Sequence, residues 1–381
     1  NTLGSLSAWA AYDPQRIGFL KSYYDTLKNI NSNVILILEH FSDNAEEKEL
    51  STYGMLIWGN SNGTYRYASI GANANGLSDF SWISYKNRGW TKPHVVGYME
   101  SHDEERQMYY SLTAGTSSGS YHIKDTLTAL DRMKLNAAFF FTIPGPKMVY
   151  EFGERGYDFS KYWPCGNDAC KMDPKPPHWD YLEDYDREKL RFVYSSLINL
   201  RVTDPVFETT DFDLNVSTGM KKIRLRNAEQ AVVVLGNFGV TQGNIVPNFY
   251  YTGTWYDYFS GDSLFVTSIN QLINLKAGEY RIYTYKKLNT PIGIDEAGLT
   301  RDDILVFPNP ATDVCHIMIQ TSLLEECSIS VYDAMGRLVS DVWKGPAGMG
   351  SEILWYPASK GLFLVKVRVG EHLFLKKVIV R

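Results

Sequence analysis

The sequence predicts an α/β region followed by all-β regions. Three observations predict this. Up to about residue 204, amphipathic helical segments alternate with short continuous apolar runs, the rhythm of about four βα units. From 206 to 286 the pattern changes to period two with turns, and no helix of useful length remains. The last stretch, 303–381, again holds only short strand-like runs. At 381 residues the chain is long enough for two to three domains of about 150 residues each.

The elements follow in order. Arg16 to Ile30 reads as an amphipathic helix, with Ile17, Phe19, Leu20, Tyr23, Tyr24 and Leu27 as its apolar positions. Asp13-Pro14 supplies an N-cap and a first-turn proline. Val34 to Leu38 is a continuous apolar run after a turn, which predicts a strand buried on both faces. Met55 to Trp58, His94 to Met99 and Lys147 to Tyr150 are three further strands. Thr126 to Phe141 and Arg187 to Arg201 are helices, the second ended near Asp204-Pro205. Lys222 to Arg226, Ala231 to Leu235 and Tyr280 to Tyr285 are strands of a small antiparallel domain, 206–286. Residues 287–302 read as a linker. In 303–381, Ser328 to Tyr332, Leu362 to Val367 and Lys376 to Val380 are strands, with a turn at Asp333 to Arg337, and together they suit a β-sandwich.

Composition narrows the function. A net charge of -5 argues against nucleic acid and against a polybasic membrane tether. No run of about 18 apolar residues predicts a membrane-spanning helix. Asn1 to Ser5 has no basic flank or apolar core, so it does not read as a signal peptide but as the interior of a longer reading frame. Aromatic residues make up 14%, which β-rich domains use freely and which also suits stacking on sugar rings. Cys165 and Cys170 flank a short loop and read equally as a local disulfide or as two free thiols. No metal site is expected from the spacing of the four cysteines.

In α/β folds, chemistry gathers at the C-terminal ends of parallel strands. Glu39 follows the first apolar run, and Glu100-Ser101-His102-Asp103-Glu104-Glu105-Arg106 follows the third. Two carboxyl groups meeting there could flank a glycosidic bond, one as proton donor and one bearing charge beside the oxocarbenium centre. The same residues also fit a plainer reading. A strand-end Glu is commonly solvated, and 101–106 reads as a cap and first helical turn with acids favouring the helix dipole.

The order and wording of these segments resemble the C-terminal half of the catalytic barrel in the α-amylase family of glycoside hydrolases. Val34 to Phe41 resembles that family's acid/base segment, Glu100 to Asp103 its seventh-strand segment, and Ile143 to Gly156 its eighth-strand segment. Trp179-Asp180-Tyr181 and Leu197 to Arg201 add to the likeness. The resemblance implies a partial (β/α)8 TIM barrel, about strands 5–8, over 1–205, and an amylase-type β domain after it. It implies Glu39 as general acid/base, Asp103 as transition-state stabiliser and His102 as a sugar ligand. His40, Asn60 and Arg106 are further substrate-binding expectations, and Trp58, Trp90, Trp163 and Trp179 are candidates for stacking. The expected partner is an α-glucan, and calcium is a cofactor expectation for the full-length protein, with no ligands identifiable in this chain.

The family's nucleophile is an Asp in a segment resembling Gly-Phe-Arg-x-Asp, and this sequence has none. Asp13 is the first Asp, at a helix start, and is not promoted to that role. The expectation is therefore a fragment with no useful hydrolytic rate by itself and with exposed strand edges. The competing reading is a surface protein whose degenerate barrel binds glucan without cutting it. Residues Val306 to Pro310, Ile329 to Asp333, Gly336-Arg337, Gly361 to Lys366 and Lys376 to Arg381 resemble the C-terminal sorting domain of the type IX secretion system. That resemblance implies the secretion machinery as a partner and a secreted or outer-membrane surface-attached protein.

Overall fold

A computed structural model describes residues 10–291, 304–319, 325–348, 350–370 and 372–381. The chain divides into two compact units, Asn1–Ile292 and Gly293–Arg381. The expected linker lies mostly outside the described residues.

In the first unit the helices are α1 (Pro14–Ile30), α2 (Asn44–Tyr53), α3 (Asn62–Ser69), α4 (Gln107–Ala114), α5 (Thr126–Thr142) and α6 (Tyr185–Thr203). Strands β1 (Ile37–Leu38), β2 (Leu56–Asn60) and β3 (Val95–Tyr98) are joined in one parallel sheet by β6 (Lys147–Met148), in the order β1-β2-β3-β6. A short hairpin, β4 (Ser117–Ser118) with β5 (Tyr121–His122), precedes α5.

Local chemistry accounts for the helix starts. The Asp13 carboxylate accepts from the backbone N–H of Gln15 at 2.9 Å and of Arg16 at 3.3 Å, and Pro14 takes the first helical position, where no N–H is needed. Asp184 caps α6 in the same way through Asp186 and Arg187. Helix α5 is buried nearly all round from Ala129 onward, the mark of a core helix.

Two expectations are corrected. The run Val34 to Leu38 is not buried on both faces. It alternates, with Ile35 70% and Ile37 46% exposed, and β1 is an edge strand of the sheet among the described residues. On α1, Phe19 and Tyr23 also face outward although their spacing puts them on the apolar stripe.

An antiparallel sheet follows. It comprises β7 (Phe212–Asn215), β8 (Met220–Arg226), β9 (Ala231–Asn237), β11 (Gly253–Asp257), β12 (Ser263–Val266) and β14 (Tyr280–Thr284), ordered β12-β11-β14-β9-β8-β7. Strands β10 (Gly243–Ile245) and β13 (Ile273–Leu275) pair beside it. One face shares a core with the helices, where Val232, Val234 and Ile282 join Leu135 and Phe139. The approach is close enough that a Cβ on Gly236 would lie 2.5 Å from the Phe139 ring. Any larger residue there would have to displace the Phe139 and Leu135 side chains.

Two buried cations fasten this sheet to the α/β region. Arg132 on α5 donates to the carbonyls of Ser69, Gly239, Ala68 and Phe238. Two of these belong to the C-terminal end of α3, where a cation is favoured. Lys221 on β8 is fully buried and donates to the Ser78 carbonyl, to Ser78 Oγ and to the Val216 carbonyl. Burial pushes its ammonium down to about 7, against Asp79, while Arg132 adds to the fall. An unfolded lysine titrates near 10.4. Between about pH 7 and 10.4 the unfolded chain therefore binds a proton that the folded chain lacks, and raising the pH favours folding. The expected result is that wild type gains stability relative to Lys221→Met from pH 6 to pH 9, by at most about tenfold in the unfolding equilibrium per pH unit. Parallel urea titrations of the two proteins check it, and a pH-independent difference would remove the assignment.

The second unit holds β15 (Ile304–Phe307), β16 (Cys315–Ile319), β17 (Glu325–Asp333), β18 (Leu338–Ala347), β19 (Ser351–Trp355), β20 (Gly361–Val369) and β21 (His372–Val380). They form a three-stranded sheet, β15-β16-β19, and a four-stranded one, β18-β17-β20-β21. Both sheets contribute to one core, with Ile317, Ile329, Val365 and Val378 among its buried residues. The turn at Asp333 to Arg337 is fixed by the Asp333 carboxylate, which accepts from the N–H groups of Met335 and Arg337.

Candidate functional site

Strands β1, β2 and β3 run side by side and parallel, so their C-terminal ends open onto one place. Glu39 follows β1, Asn60 ends β2, and the segment from Met99 to Arg106 follows β3. Glu39, His102 and Asp103 are all exposed there, and one side-chain ligand atom of each lies within 4.8 Å of the other two. Residues far apart in the chain are thus brought together as the strand-end argument expects.

The segment after β3 is a stapled loop, not a helix cap. Helix α4 begins only at Gln107 and has no acid in its first turn. Asn62 Nδ2 donates to the carbonyls of Met99 and Glu105, each at 2.8 Å, and Gln107 Nε2 donates to Met99 at 2.9 Å. Glu100 turns inward and accepts from the Gln107 N–H at 2.6 Å. Its burial raises the carboxyl pKa, with Arg106 pulling the other way. Ser101 Oγ receives the Asp103 N–H at 3.2 Å, which helps set the direction of Asp103.

Asp103 carries a cation. Lys171 Nζ lies 2.8 Å from its Oδ1, and that hydrogen bond takes the carboxyl below its usual range. His102 Nε2 lies 3.8 Å from its Oδ2. The Trp58 ring lies 6.3 Å from the His102 ring and 5.4 Å from that of Tyr98. Asn60 is exposed and donates to Glu104 Oε1 at 2.6 Å.

Other expected residues are placed elsewhere. His40 is 3% exposed, with Nε2 2.6 Å from Glu46 Oε1, because the residue after Glu39 points to the opposite side of the chain. Arg106 is also buried, between the rings of Tyr150 at 4.3 Å and Tyr157 at 4.5 Å, and donates to Glu100 and to the Glu151 carbonyl. Neither side chain offers an open face to a ligand. Trp90 is a core residue whose Nε1 donates to Asn44, whereas Trp163 and Trp179 are exposed. Cys165 and Cys170 form a disulfide, with Cα atoms 5.9 Å apart, which settles the pairing left open by sequence.

Calcium takes six to eight oxygen ligands. Among the described residues the one group of three metal-capable side chains is Glu39, His102 and Asp103. It includes an imidazole, and Lys171 already holds one Asp103 oxygen. That donor set does not fit calcium. Sequence reasoning named Glu104 only as part of the 100–106 segment and missed Lys171, because nothing local in its segment signals a contact so distant in the chain.

Residues 305–381 match the family model described as the secretion system C-terminal sorting domain. The domain marks a secreted or surface-attached protein. No helix among the described residues is long and apolar enough to cross a membrane. No curated protein matches the chain by sequence.

Solved structures match about 70% of the chain. An α-amylase from Geobacillus thermoleovorans, complexed with acarbose, is 13% identical with a TM-score of 0.50, over 70% of this chain and 57% of that one. The cyclomaltodextrin glucanotransferase CldA, with a three-domain ABC distribution, is 17% identical with a TM-score of 0.52, over 71% and 54%. A cyclomaltodextrinase is 16% identical with a TM-score of 0.52, over 70% and 43%. The chain spans about half the length of the structures it matches. These likenesses define the class by fold: an α/β region with a parallel sheet, followed by antiparallel β-sheets, structurally similar to α-amylase-family proteins over about 70% of the chain. The particular chain couples that fold to a secretion sorting domain at 305–381.

Proposed function

We propose that the chain is part of a secreted α-amylase-type glycoside hydrolase that cleaves α-glucosidic bonds in starch-like glucans with retention. The single observation that carries this reading is the convergence of Glu39, His102 and Asp103 at the ends of neighbouring parallel strands, within 4.8 Å. In this reading the α/β region is about strands 5–8 of a (β/α)8 barrel, and β1, at the edge of the described sheet, is where the preceding strands would pair.

Glu39, protonated, donates to the glycosidic oxygen as the bond to the anomeric carbon breaks, while an Asp outside this chain attacks that carbon. Glu39, now a carboxylate, then takes a proton from the water that releases the sugar. Asp103, ionised beside Lys171, accepts hydrogen bonds from sugar hydroxyls as positive charge grows on the ring. His102 bonds the same sugar, and Trp58 offers a flat face nearby.

The test is reducing-sugar release from soluble starch by this chain and by the protein extended upstream. Activity in the extended protein alone supports the reading. Activity in both means that a carboxylate within 1–381 is the nucleophile. Silence in both with glucan binding retained identifies a binding protein.

A further inference from the structure

The loop between β6 and α6 returns across the segment that carries Asp103. Ser160 Oγ donates to Glu105 Oε2 at 2.8 Å, and the Lys161 N–H donates to Glu105 Oε1 at 2.9 Å. Lys161 Nζ donates to the Asp103 carbonyl at 2.8 Å. Beyond this anchor the Cys165–Cys170 disulfide closes a small ring. Lys171 follows the ring directly and reaches Asp103 Oδ1. On its far side Lys175 Nζ donates to the Cys170 and Asp173 carbonyls, each at 2.8 Å, folding that limb onto itself.

A lysine ammonium is a point charge on a flexible stem, and an exposed pair made by such a group is weak unless its backbone is held. Here the backbone is held on both sides. The charged groups facing Asp103 are Lys171 and Lys161 from this loop, His102 from its own segment, and Glu39 from the end of β1. Lys171 engages Oδ1, and Oδ2 stays on the His102 side.

We propose that Lys171, held in place by the Cys165–Cys170 ring, is a positioning residue for Asp103 that fixes one carboxylate oxygen and leaves the other to accept a sugar hydroxyl. The sugar in this statement rests on the glucan reading above, whereas the pairing does not.

The experiment is a carbon-detected NMR titration of the Asp103 carboxyl in the 381-residue chain, with calorimetric binding of maltoheptaose in parallel. Lys171→Met and the double variant Cys165→Ser/Cys170→Ser are each expected to make Asp103 a weaker acid by about twofold to fivefold, the range of an exposed ion pair. Lys171→Arg is expected to keep the wild-type value. Maltoheptaose is expected to bind about twofold to fivefold more weakly to Lys171→Met. An unchanged Asp103 titration in Lys171→Met overturns the proposal, and one unchanged only in the serine pair overturns the part given to the disulfide. A shifted titration with unchanged maltoheptaose affinity overturns the positioning role. If wild type binds no maltoheptaose while the titrations shift as expected, the sugar part of the proposal is overturned for this chain and the pairing stands.

Discussion

In an upstream-extended protein that hydrolyses starch, Glu39→Gln is expected to lower kcat by about 10²- to 10⁴-fold, the range for removing a general acid/base. Glucan affinity is expected to change little. Glutamine keeps the shape and can still bond a sugar oxygen, but its amide has no proton to give to a leaving alkoxide. Glu39 is exposed, so no buried charge is lost and the fold is not the cause of the fall. A substrate whose leaving group needs no protonation separates the two halves of the role. Its first step recovers in the variant, while release of the covalent sugar stays slow because no carboxylate activates water. Reducing-sugar assays and calorimetry measure both quantities, and an undiminished kcat removes Glu39 from the reaction. Asp103→Asn is expected to act in the same direction through lost charge stabilisation.

How far sequence reached depended on whether the deciding interaction was local. Asp13-Pro14 was legible because a cap bonds within its own turn. The run Val34 to Leu38 was legible as a strand but not in its burial, since the absence of a second neighbour is a property of the sheet. Helix α2 gave no apolar signal because two positions on its buried side are carboxylates: Glu46 is paired with Arg16 and Glu47 with Arg88. That Glu39 and Asp103 lie close together could be expected because the C-terminal ends of neighbouring parallel strands open onto one place. His40 and Arg106 could not be told from them, because adjacency in sequence is reversed by the turn of the chain. The Cys165–Cys170 bond and the Lys171 contact needed the path of the loop, which no residue in it encodes alone.

Glu46→Leu is expected to destabilise the first unit by about 3–5 kcal/mol, the usual consequence of removing one partner from a buried ion pair. The Glu46 carboxylate is fully buried at the start of α2 and accepts from Arg16 Nε at 2.6 Å, Arg16 Nη2 at 2.7 Å and the Asp13 N–H at 2.8 Å, with His40 Nε2 at 2.6 Å. Leucine has similar bulk, so the loss comes from a buried guanidinium deprived of its counter-charge. It follows that Arg16→Met/Glu46→Leu should recover most of the stability, since neither charge then remains to be desolvated. Acid should act on the same network. Burial lowers the His40 pKa from 6.5 despite Glu46, so the unfolded chain takes up a proton first as the pH falls through that value. Burial pushes Glu46 up, but Arg16, the Asp13 N–H and His40 take it below 4.5, so its contribution is present above 4.5 and is lost as the pH falls through the folded value. Both slopes have the same sign, and the double variant should lack the Glu46 part. Urea titrations from pH 7 to pH 4 on the three proteins measure this, and a single variant within about 1 kcal/mol of wild type would show the pair to be worth no more than a surface one. The network joins the first turn of α1, residues 40–42 and the first turn of α2, which places it directly behind Glu39. Its loss should therefore broaden the Glu39 carboxyl resonance before it unfolds the chain, tying the proposed acid to a buried charge pair that never meets the substrate.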